Sequence, residues 1–467
     1  INEFFILMKS ELAITVIIFL LLSVKLGKGI KNDVLLSIVQ MLLLATTIIC
    51  FVFNASGSLF GDMYHTDSLI GFEKGILCLA TYLISLLNTD WLRKHEHLAE
   101  FFMLMLSALL GMFFLISSGN LLMFFLSLEL STIPVAALAN FDLHKKISSE
   151  AAMKMILSSA FSSGILLFGI SLVYGSTGTI SFSELPSHLN GSSLQILSFV
   201  FLLTAFAFKL SVVPFHLWTA DVYEGSPIAV TSFLSVVSKA AIAFVFITAL
   251  YKVFQPMESA WYNMIMILSV ATMLIGNLFA VRQQNIKRFL AFSSIAQVGF
   301  ILVGISGNSI TGSSSVIYFL LIYVFSNLAA FAVASAISSQ TGKENIDDYK
   351  GLNQTNPFLS WVMALALFSL AGIPPMAGFF GKFFLLAAGA SRGNYVFIII
   401  AALNMIISLY YYLRVVRAMF MDKNEQPIEK ISNHPVAKFA LILCSAGILL
   451  TGLCSWIYEY IVALIQN

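Results

Sequence analysis

Long apolar runs alternate with short polar connections along the whole chain. Each run has about 20 residues, the length that an α-helix needs to cross the hydrocarbon core of a bilayer. The pattern predicts an all-α polytopic membrane protein of fourteen transmembrane helices, and no connection is long enough for a sizeable soluble domain. The predicted spans are 11–27, 33–53, 68–90, 98–117, 119–140, 150–175, 193–218, 225–254, 260–282, 285–306, 311–339, 356–386, 394–420 and 436–460.

Two of these spans carry the same short pattern. FKLSVVP at 208–214 and FSLAGIP at 368–374 match 160 residues apart, and each places a proline in the middle of an apolar run. A proline inside a helix breaks it, so spans 7 and 12 are predicted to break at Pro214 and at Pro374 and Pro375. Five spans separate the two copies, so equivalent helices run in opposite directions, which is typical of an inverted repeat.

The repeat predicts how the chain is organised. We expect an N-terminal three-helix segment at 1–97, a first five-helix repeat at 98–254 (spans 4–8), a second, inverted repeat at 260–420 (spans 9–13) and a C-terminal helix at 436–467. A broken helix leaves backbone groups unpaired at membrane depth, where only protein or a water-filled cavity can satisfy them. The breaks therefore predict water inside the membrane region.

Composition agrees with a membrane protein and adds a candidate chemistry. The chain is 59% hydrophobic and 10% charged, with a mean hydropathy of +0.92, whereas a soluble domain is about 25% charged. Five of its few charges lie deep in predicted spans: Glu129, Lys154, Lys209, Lys239 and Lys382. Each lysine costs roughly 2.5–3.5 kcal/mol at a helix centre, so several together indicate a function.

These charges have a structural and a functional interpretation. They can pair, reach an interface or hold helices together, and for Lys154 such a role, including a pair with Glu129, is as well supported as function. The functional interpretation is a proton relay, in which a carboxylate holds the proton of a nearby lysine and water bridges the gaps. His216, close to the first break, and Gln297 in span 10 are further candidates for this path, although His216 is also compatible with a buried histidine of no special role.

The distribution of lysine and arginine predicts the orientation. Cytoplasmic connections carry an excess of both residues, and here seventeen fall at odd-numbered connections against four at even-numbered ones. This bias predicts that odd connections are cytoplasmic and that both termini are outside. The small net charge of +2 therefore does not indicate nucleic-acid binding. The four at even connections are Lys9, Lys74, Lys252 and Arg392.

Motifs for a bound metal or cofactor are missing from the sequence. The four cysteines lie in apolar runs and form no C-x-x-C pair, so they are expected to be buried hydrophobic residues rather than metal ligands. The chain has no phosphate-binding loop and no dinucleotide fingerprint. We expect no metal and no cofactor on this chain, and no catalytic site for redox chemistry.

Four sequence strings resemble a known family. FKLSVVPFHLWTADVYEGSP, SKAAIAF, NIKRFLAFSSIAQVGF and SLAGIPPMAGFFGKFFLL are similar to the antiporter-like membrane subunits of respiratory complex I, most of all to the bacterial subunit N type, the counterpart of mitochondrial subunit 2. The resemblance covers at least residues 98–420. In this family Glu129, Lys209, Lys239 and Lys382 match proton-translocating positions, and Lys154 and His216 match supporting ones. Gln297 departs from the family, whose members often have histidine there.

The resemblance also implies a setting. The family implies proton translocation driven by quinone reduction elsewhere in a respiratory NADH–quinone oxidoreductase of the bacterial inner membrane, with both termini then in the periplasm. Flavin, iron–sulfur clusters and quinone would be on other subunits. The neighbours would be the antiporter-like subunit M and the small subunits K and J, within the lipid bilayer.

Two alternatives of other classes stay open at this stage. Mrp-type cation/proton antiporters and membrane hydrogenases share this fold and these lysines. A dedicated Na⁺ site would need several oxygen ligands, and the single deep carboxylate disfavours one. The third hypothesis is a structural spacer, in which the charges only hold neighbouring subunits together.

Overall fold

Helices make up nearly all of the regular structure, which is a computed structural model describing residues 2–27 and 29–466. One antiparallel hairpin pairs β1 (Gly57–Leu59) with β2 (Tyr64–Thr66). Two π-helical segments occupy Phe233–Ser238 and Ala249–Val253, and two short 3₁₀ helices occupy Gln255–Met257 and Ile346–Tyr349. The α-helices are α1 Asn2–Leu7, α2 Lys9–Leu26, α3 Asn32–Val52, α4 Ser68–Leu87, α5 Thr89–Leu92, α6 Leu98–Ile116, α7 Leu121–Ala139, α8 Lys146–Thr177, α9 Leu185–His188, α10 Ser193–Leu210, α11 Leu217–Gly225, α12 Ile228–Ser232, α13 Lys239–Thr248, α14 Glu258–Arg282, α15 Ile286–Ile305, α16 Ile310–Thr341, α17 Leu352–Thr355, α18 Pro357–Ala371, α19 Ala377–Ala390, α20 Tyr395–Phe420, α21 Pro435–Leu453 and α22 Ser455–Gln466.

The predicted spans correspond to these helices. Among the described residues, twelve helical segments are long and apolar enough to cross a membrane. The other two predicted spans fall on α2 and on the pair of shorter apolar helices α18 and α19. The chain is therefore an all-α polytopic membrane protein, as predicted. One predicted span ends too late: 436–460 is divided, because α21 ends at Leu453 and a separate helix begins at Ser455.

Two compact units make up the chain. The first comprises 1–82, 92–211 and 225–264, and the second comprises 83–91, 212–224 and 265–467. In the first unit the most enclosed span is Ile228–Val253, with 89% of its apolar window buried; in the second, α15 and α16 each reach 94%. In contrast, α8 and α20 are 39% and 33% buried. The enclosed helices thus form the core of each unit, and the outer ones present apolar surface.

Both predicted helix breaks are present. In span 7, α10 ends at Leu210 and α11 begins at Leu217, and in span 12, α18 ends at Ala371 and α19 begins at Ala377. The helices end three to four residues before Pro214 and Pro374, because a proline lacks the N–H that the preceding turn requires and its ring clashes with that turn. The breaks are therefore local consequences of proline, and they free backbone groups inside the membrane region.

Side chains take up some of the backbone groups that the breaks release. The Val213 N–H donates a hydrogen bond to Thr272 Oγ1 at 3.1 Å. In span 12, Gly372 adopts a left-handed conformation with φ of +84°, which favours glycine, and its N–H donates to Phe368 O. The Leu370 carbonyl accepts from two side chains, described below. At the first break the partner thus comes from α14, and at the second the left-handed Gly372 closes the last turn of α18.

Candidate functional site: buried lysines beside the helix breaks

Lys209 lies in the last turn of α10, next to the first break, and is only 9% exposed. Its Nζ donates to Thr132 Oγ1 on α7 at 2.6 Å and to Ser159 Oγ on α8 at 2.8 Å. Three helices of the first unit therefore converge on one ammonium group. Hydroxyl groups both accept and donate hydrogen bonds, so these two partners can hold the lysine in its charged form and can also pass a proton.

Glu129 lies on the same face of α7 as Thr132, one turn earlier, and is half-buried. Its Oε1 accepts a hydrogen bond from Ser163 Oγ on α8. Among the described residues Glu129 and Lys209 do not form the ion pair that a direct clamp would require. The carboxylate still acts on Lys209 through electrostatic interaction. Two consecutive turns of α7 and α8 thus provide two sets of contacts. One is the pair of Glu129 and Ser163, and the other is the pair of hydroxyls that accept hydrogen bonds from Lys209 on α10.

Lys154 lies at the surface of α8, so of the structural roles left open for it, reaching an interface fits better than a pair with Glu129. Its Nζ lies 2.7 Å from Glu150 Oε1, one turn earlier on α8, and 42% of its side chain is exposed. The helix begins at Lys146 rather than at the predicted residue 150, and Lys154 lies on its exposed surface. In the described structure this lysine belongs to a surface ion pair. Such exposed pairs contribute about 0–1 kcal/mol to stability.

Lys239 is deeply buried in the most enclosed span of the first unit. It is 2% exposed and is the first residue of α13, directly after the π-helical segment Phe233–Ser238. π-helical turns widen a helix locally and occur frequently at functional sites. No periodicity in the sequence predicts this segment. Lys239 therefore lies deep in its span, as predicted. Burying a charge there costs several kcal/mol unless the site compensates it.

Lys382 and Gln297 meet at the second break. Lys382 is fully buried, and its Nζ donates to the Leu370 carbonyl at 2.7 Å and lies 4.7 Å from the centre of the Phe300 ring. Gln297 Nε2 donates to the same carbonyl at 3.0 Å. Leu370 lies in the last turn of α18, where helix carbonyls have no intrahelical partner. The break thus brings two candidate site residues, 85 positions apart in the chain, onto one acceptor.

Tyr412 extends this cluster and was missed by the sequence analysis. Its hydroxyl accepts from Gln297 Nε2 at 2.9 Å and hydrogen-bonds with Ser293 Oγ. Tyr412 lies in α20, in a YYY run that resembles an apolar helix face, so its sequence gives no sign of a polar role. A continuous set of hydrogen-bonding groups therefore runs from Ser293 through Tyr412 and Gln297 to the Leu370 carbonyl and Lys382.

His216 lies in the turn between α10 and α11, two residues after Pro214. It is 7% exposed, and its Nδ1 has no hydrogen-bond partner among the described residues. A buried ring nitrogen without a protein partner needs water or costs free energy. The unpaired Nδ1 is therefore compatible with a water molecule at the break as its partner. His216 belongs to the second unit.

The segment after the first break is anchored by ion pairs within the second unit. Arg288 Nη1 lies 2.8 Å from Asp221 Oδ1 and 2.7 Å from Glu224 Oε2, and it thereby ties α11 to the start of α15. Next to it, Lys287 Nζ lies 2.8 Å from Glu344 Oε1. Burial alone would raise the pKa of Glu344, but the Lys287 charge and nearby hydrogen bonds outweigh it, so this pKa lies below its usual value. These ion pairs position the polar string DVYEG.

A buried ion pair in the N-terminal helices was not predicted. Glu11 and Lys74 lie 2.6 Å apart with only 1% of each side chain exposed, and Lys74 Nζ also donates to Tyr64 Oη at 3.2 Å. Both residues are near predicted span ends, and Lys74 was expected at an outer connection. The early start of α2 at Lys9 and the hairpin that covers this end bury them instead. The N-terminal helices therefore contain a charge network of their own.

No arrangement for a metal ion is visible in the part of the chain that the structure describes. Groups of three or more histidine, cysteine, aspartate or glutamate residues that could hold one are not found there. The four cysteines are free thiols, with Cys50, Cys78 and Cys444 buried and Cys454 half-buried. The titratable groups of the site are lysines, a carboxylate and a histidine, and these groups bind protons.

Helices that break at membrane depth beside buried charges are typical of membrane transport proteins. The chain belongs to the NADH:quinone oxidoreductase/Mrp antiporter transmembrane family, whose model matches residues 118–408. A protein named NADH-quinone oxidoreductase subunit N from Phocaeicola vulgatus is 45% identical over 456 residues, 97% of each chain. Another of the same name from Azobacteroides pseudotrichonymphae is 48% identical over 414 residues, covering 88% of this chain and 86% of the other.

Solved structures show the same fold. Respiratory complex I from Thermus thermophilus with bound aureothin contains a chain that matches with a TM-score of 0.81 and 28% identity, covering 96% of this chain and 98% of the other. A chain of the Mrp complex from Dietzia matches with a TM-score of 0.87 but only 20% identity, covering 97% and 96%. The second likeness shows the fold alone, whereas the first also carries sequence similarity.

Proposed function

We propose that this chain is a proton-translocating membrane subunit of a respiratory NADH–quinone oxidoreductase. The observation that carries the proposal is the identity of 45% to 48% with two proteins named subunit N of that enzyme, which extends over most of each chain. The function is supported by buried lysines at both helix breaks. The chain contributes to the enzyme at the level of the complex, and it performs no redox chemistry itself.

The proposed path uses the groups described in each unit. In the first unit, Lys209 exchanges a proton through Thr132 and Ser159 under the electrostatic influence of Glu129, and Lys239 is the next deep lysine along the chain. The second unit has its own candidate groups, which are His216 and the set formed by Gln297, Tyr412 and Lys382. Water at the breaks bridges the groups that do not touch. Quinone reduction in other subunits drives the movement.

An Mrp-type cation/proton antiporter or a membrane hydrogenase is the second candidate. The Mrp chain from Dietzia has a higher TM-score than the complex I chain, which favours it on shape. Its identity of 20%, however, is less than half that of the relatives named subunit N. In a family where all members share one fold, sequence identity discriminates better than shape. The complex I assignment is therefore the stronger one.

The assignment implies partners and cofactors. As a subunit N, the chain would contact the antiporter-like subunit M and the small subunits K and J in the lipid bilayer. Flavin, iron–sulfur clusters and the quinone would be held by other subunits. Lys154 and Glu150 expose a charged pair on the outer surface of α8, an unfavourable position in lipid. A neighbouring subunit on this face would remove that cost.

Purification of the native complex tests the function. A tagged copy of this chain, extracted in mild detergent, is expected to copurify with flavin- and cluster-bearing subunits and with NADH–quinone oxidoreductase activity. Copurification with Mrp-type subunits and no NADH oxidation would contradict the assignment to complex I. An untagged strain taken through the same procedure is the control for nonspecific binding.

The orientation is proposed from the charge bias together with the fold. The even-numbered connections, which include the β1–β2 hairpin, would face the periplasm of a bacterial inner membrane, as would both termini. An impermeant reagent added to intact spheroplasts is then expected to label a tag placed after residue 467. Labelling only after the membrane is opened would reverse the orientation. A tag in the connection after α5, at residues 93–97, gives the opposite pattern and is the matched control.

A further inference from the structure

A cavity of about 650 Å³ lies at one end of the first unit, beneath the hairpin. Four connections meet there: the hairpin segment, the turn between α6 and α7, the loop after α8 and the end of the last π-helical segment. All are even-numbered connections, so they share one side of the membrane. The cavity is far larger than the roughly 30 Å³ that one water occupies. Its titratable lining residues are His65, Asp67, Glu73 and Lys252.

Glu73 is the unusual member of this lining. The residue is only 5% exposed, yet among the described residues its carboxyl group makes no hydrogen bond and no ion pair. A carboxylate that is buried without a partner is strongly destabilised. The neutral carboxylic acid avoids most of this cost and can donate a hydrogen bond to water in the cavity. The geometry therefore favours a bound proton on Glu73.

The charged neighbours of Glu73 balance one another. Asp67 and Lys252 line the same cavity as Glu73 and carry opposite charges. Lys74 is not part of the cavity lining and has Glu11 and Tyr64 as partners. Lys252 is solvent-exposed, and His65 completes the set of titratable groups. Burial of Glu73 and the negative charge of Asp67 thus favour the bound proton, whereas the solvent-exposed Lys252 opposes it. External pH can change this balance.

A metal ion is a poorer ligand for this site than a proton. A divalent cation needs several oxygen ligands that converge on it. The nearest second carboxylate is that of Asp67, whose Oδ1 already accepts a hydrogen bond from the Ile70 N–H at 2.7 Å at the start of α4. A proton needs only the one carboxyl group and water.

We propose that Glu73 is a proton-binding site that exchanges with the outer aqueous phase through this cavity, separately from the deep lysines. The site belongs to the N-terminal segment and uses none of the groups assigned to the translocation path. The proposal depends on the proposed orientation of the chain in the membrane. It does not depend on the assignment to complex I, because the protein can bind and release this proton at rest, without turnover. On the outer side it would store a proton at membrane depth, next to the fixed Glu11–Lys74 pair.

Infrared difference spectroscopy on the native complex in sealed, right-side-out vesicles tests the site without substrate. The spectrum of the wild type minus that of Glu73→Gln is expected to contain one carboxylic-acid C=O band. This band should disappear reversibly as external pH rises, remain unchanged when only internal pH is varied, and shift in D₂O because the cavity admits water. Glutamine is neutral and nearly isosteric with the protonated acid, so the variant should assemble.

Two further variants make the experiment decisive. Glu184→Gln removes an exposed carboxylate from the loop after α8 that is outside the cavity lining, and its difference spectrum should lack the band. Glu73→Asp is the alternative if the glutamine variant fails to assemble. This variant keeps a carboxyl group, so its spectrum should retain the band at a shifted position. Absence of the band, a band insensitive to external pH and D₂O, or a band that follows internal pH alone would each overturn the proposal.

Discussion

Lys239→Ala is expected to lower proton pumping by the assembled complex several-fold. Lys239 is 2% exposed and lies at the end of a π-helical segment in the most enclosed span of its unit. A methyl group cannot carry a proton, and a path through hydrogen-bonding groups stops where one is missing. The measurement is the number of protons moved per NADH oxidised by the purified complex in proteoliposomes, together with a check of subunit composition.

Lys145→Ala is the matched control for this prediction. Lys145 lies at a connection of the same unit, with 66% of its side chain exposed and an ion pair to Asp142. Its removal should leave pumping unchanged, since exposed pairs contribute little. Wild-type pumping by an intact Lys239→Ala complex would instead favour the structural-spacer hypothesis, in which the buried charges only hold helices or subunits together.

Lys209→Arg is the second prediction of large effect and separates charge from proton transfer. Arginine keeps the positive charge and can still donate to Thr132 and Ser159, but it does not release its proton in proteins. We therefore expect the variant to assemble and its pumping to fall several-fold, close to that of Lys209→Ala. The measurement is proton pumping together with NADH oxidation on the same vesicles, compared between the wild type, Lys209→Arg and Lys209→Ala.

Lys154→Arg controls for the same chemical change at a different position. That lysine is 42% exposed and pairs with Glu150 on its own helix, and arginine makes the same pair. Pumping should stay near the wild-type level. If Lys209→Arg pumped normally as well, proton transfer through the Lys209 amine would be untenable, and the lysine would act only as a fixed charge between α7, α8 and α10.

The local features of the fold could be predicted from sequence because their causes are local. Apolar runs set the helices, and the prolines of the two matched strings end α10 and α18 within a few residues of the expected positions. The burial of Lys209, Lys239 and Lys382 likewise follows from their distance to the span ends. For Lys154 the same reasoning was insufficient, because hydropathy does not tell which face of a helix is exposed.

The partners of the buried groups depend on residues far apart in the chain. Lys209 and Thr132 are 77 residues apart, and Gln297 and Tyr412 are 115 apart. Glu11 and Lys74 were placed near span ends by their sequence position, and only the packing of α2, α4 and the hairpin buries them together. Likewise, the hydrogen-bond partner of Glu129 is Ser163, which lies 34 residues away on α8.

By itself, the sequence determined a membrane protein of broken, lysine-bearing helices, since hydropathy, proline geometry and the cost of burying charge act over a few residues at a time. Only the tertiary structure decided which group each charge meets. It placed Lys209 between two hydroxyls, brought Gln297 and Lys382 onto the Leu370 carbonyl, and left Glu73 facing a cavity. Such partners are set by the packing of distant helices, because a hydrogen bond depends on the position of both its atoms.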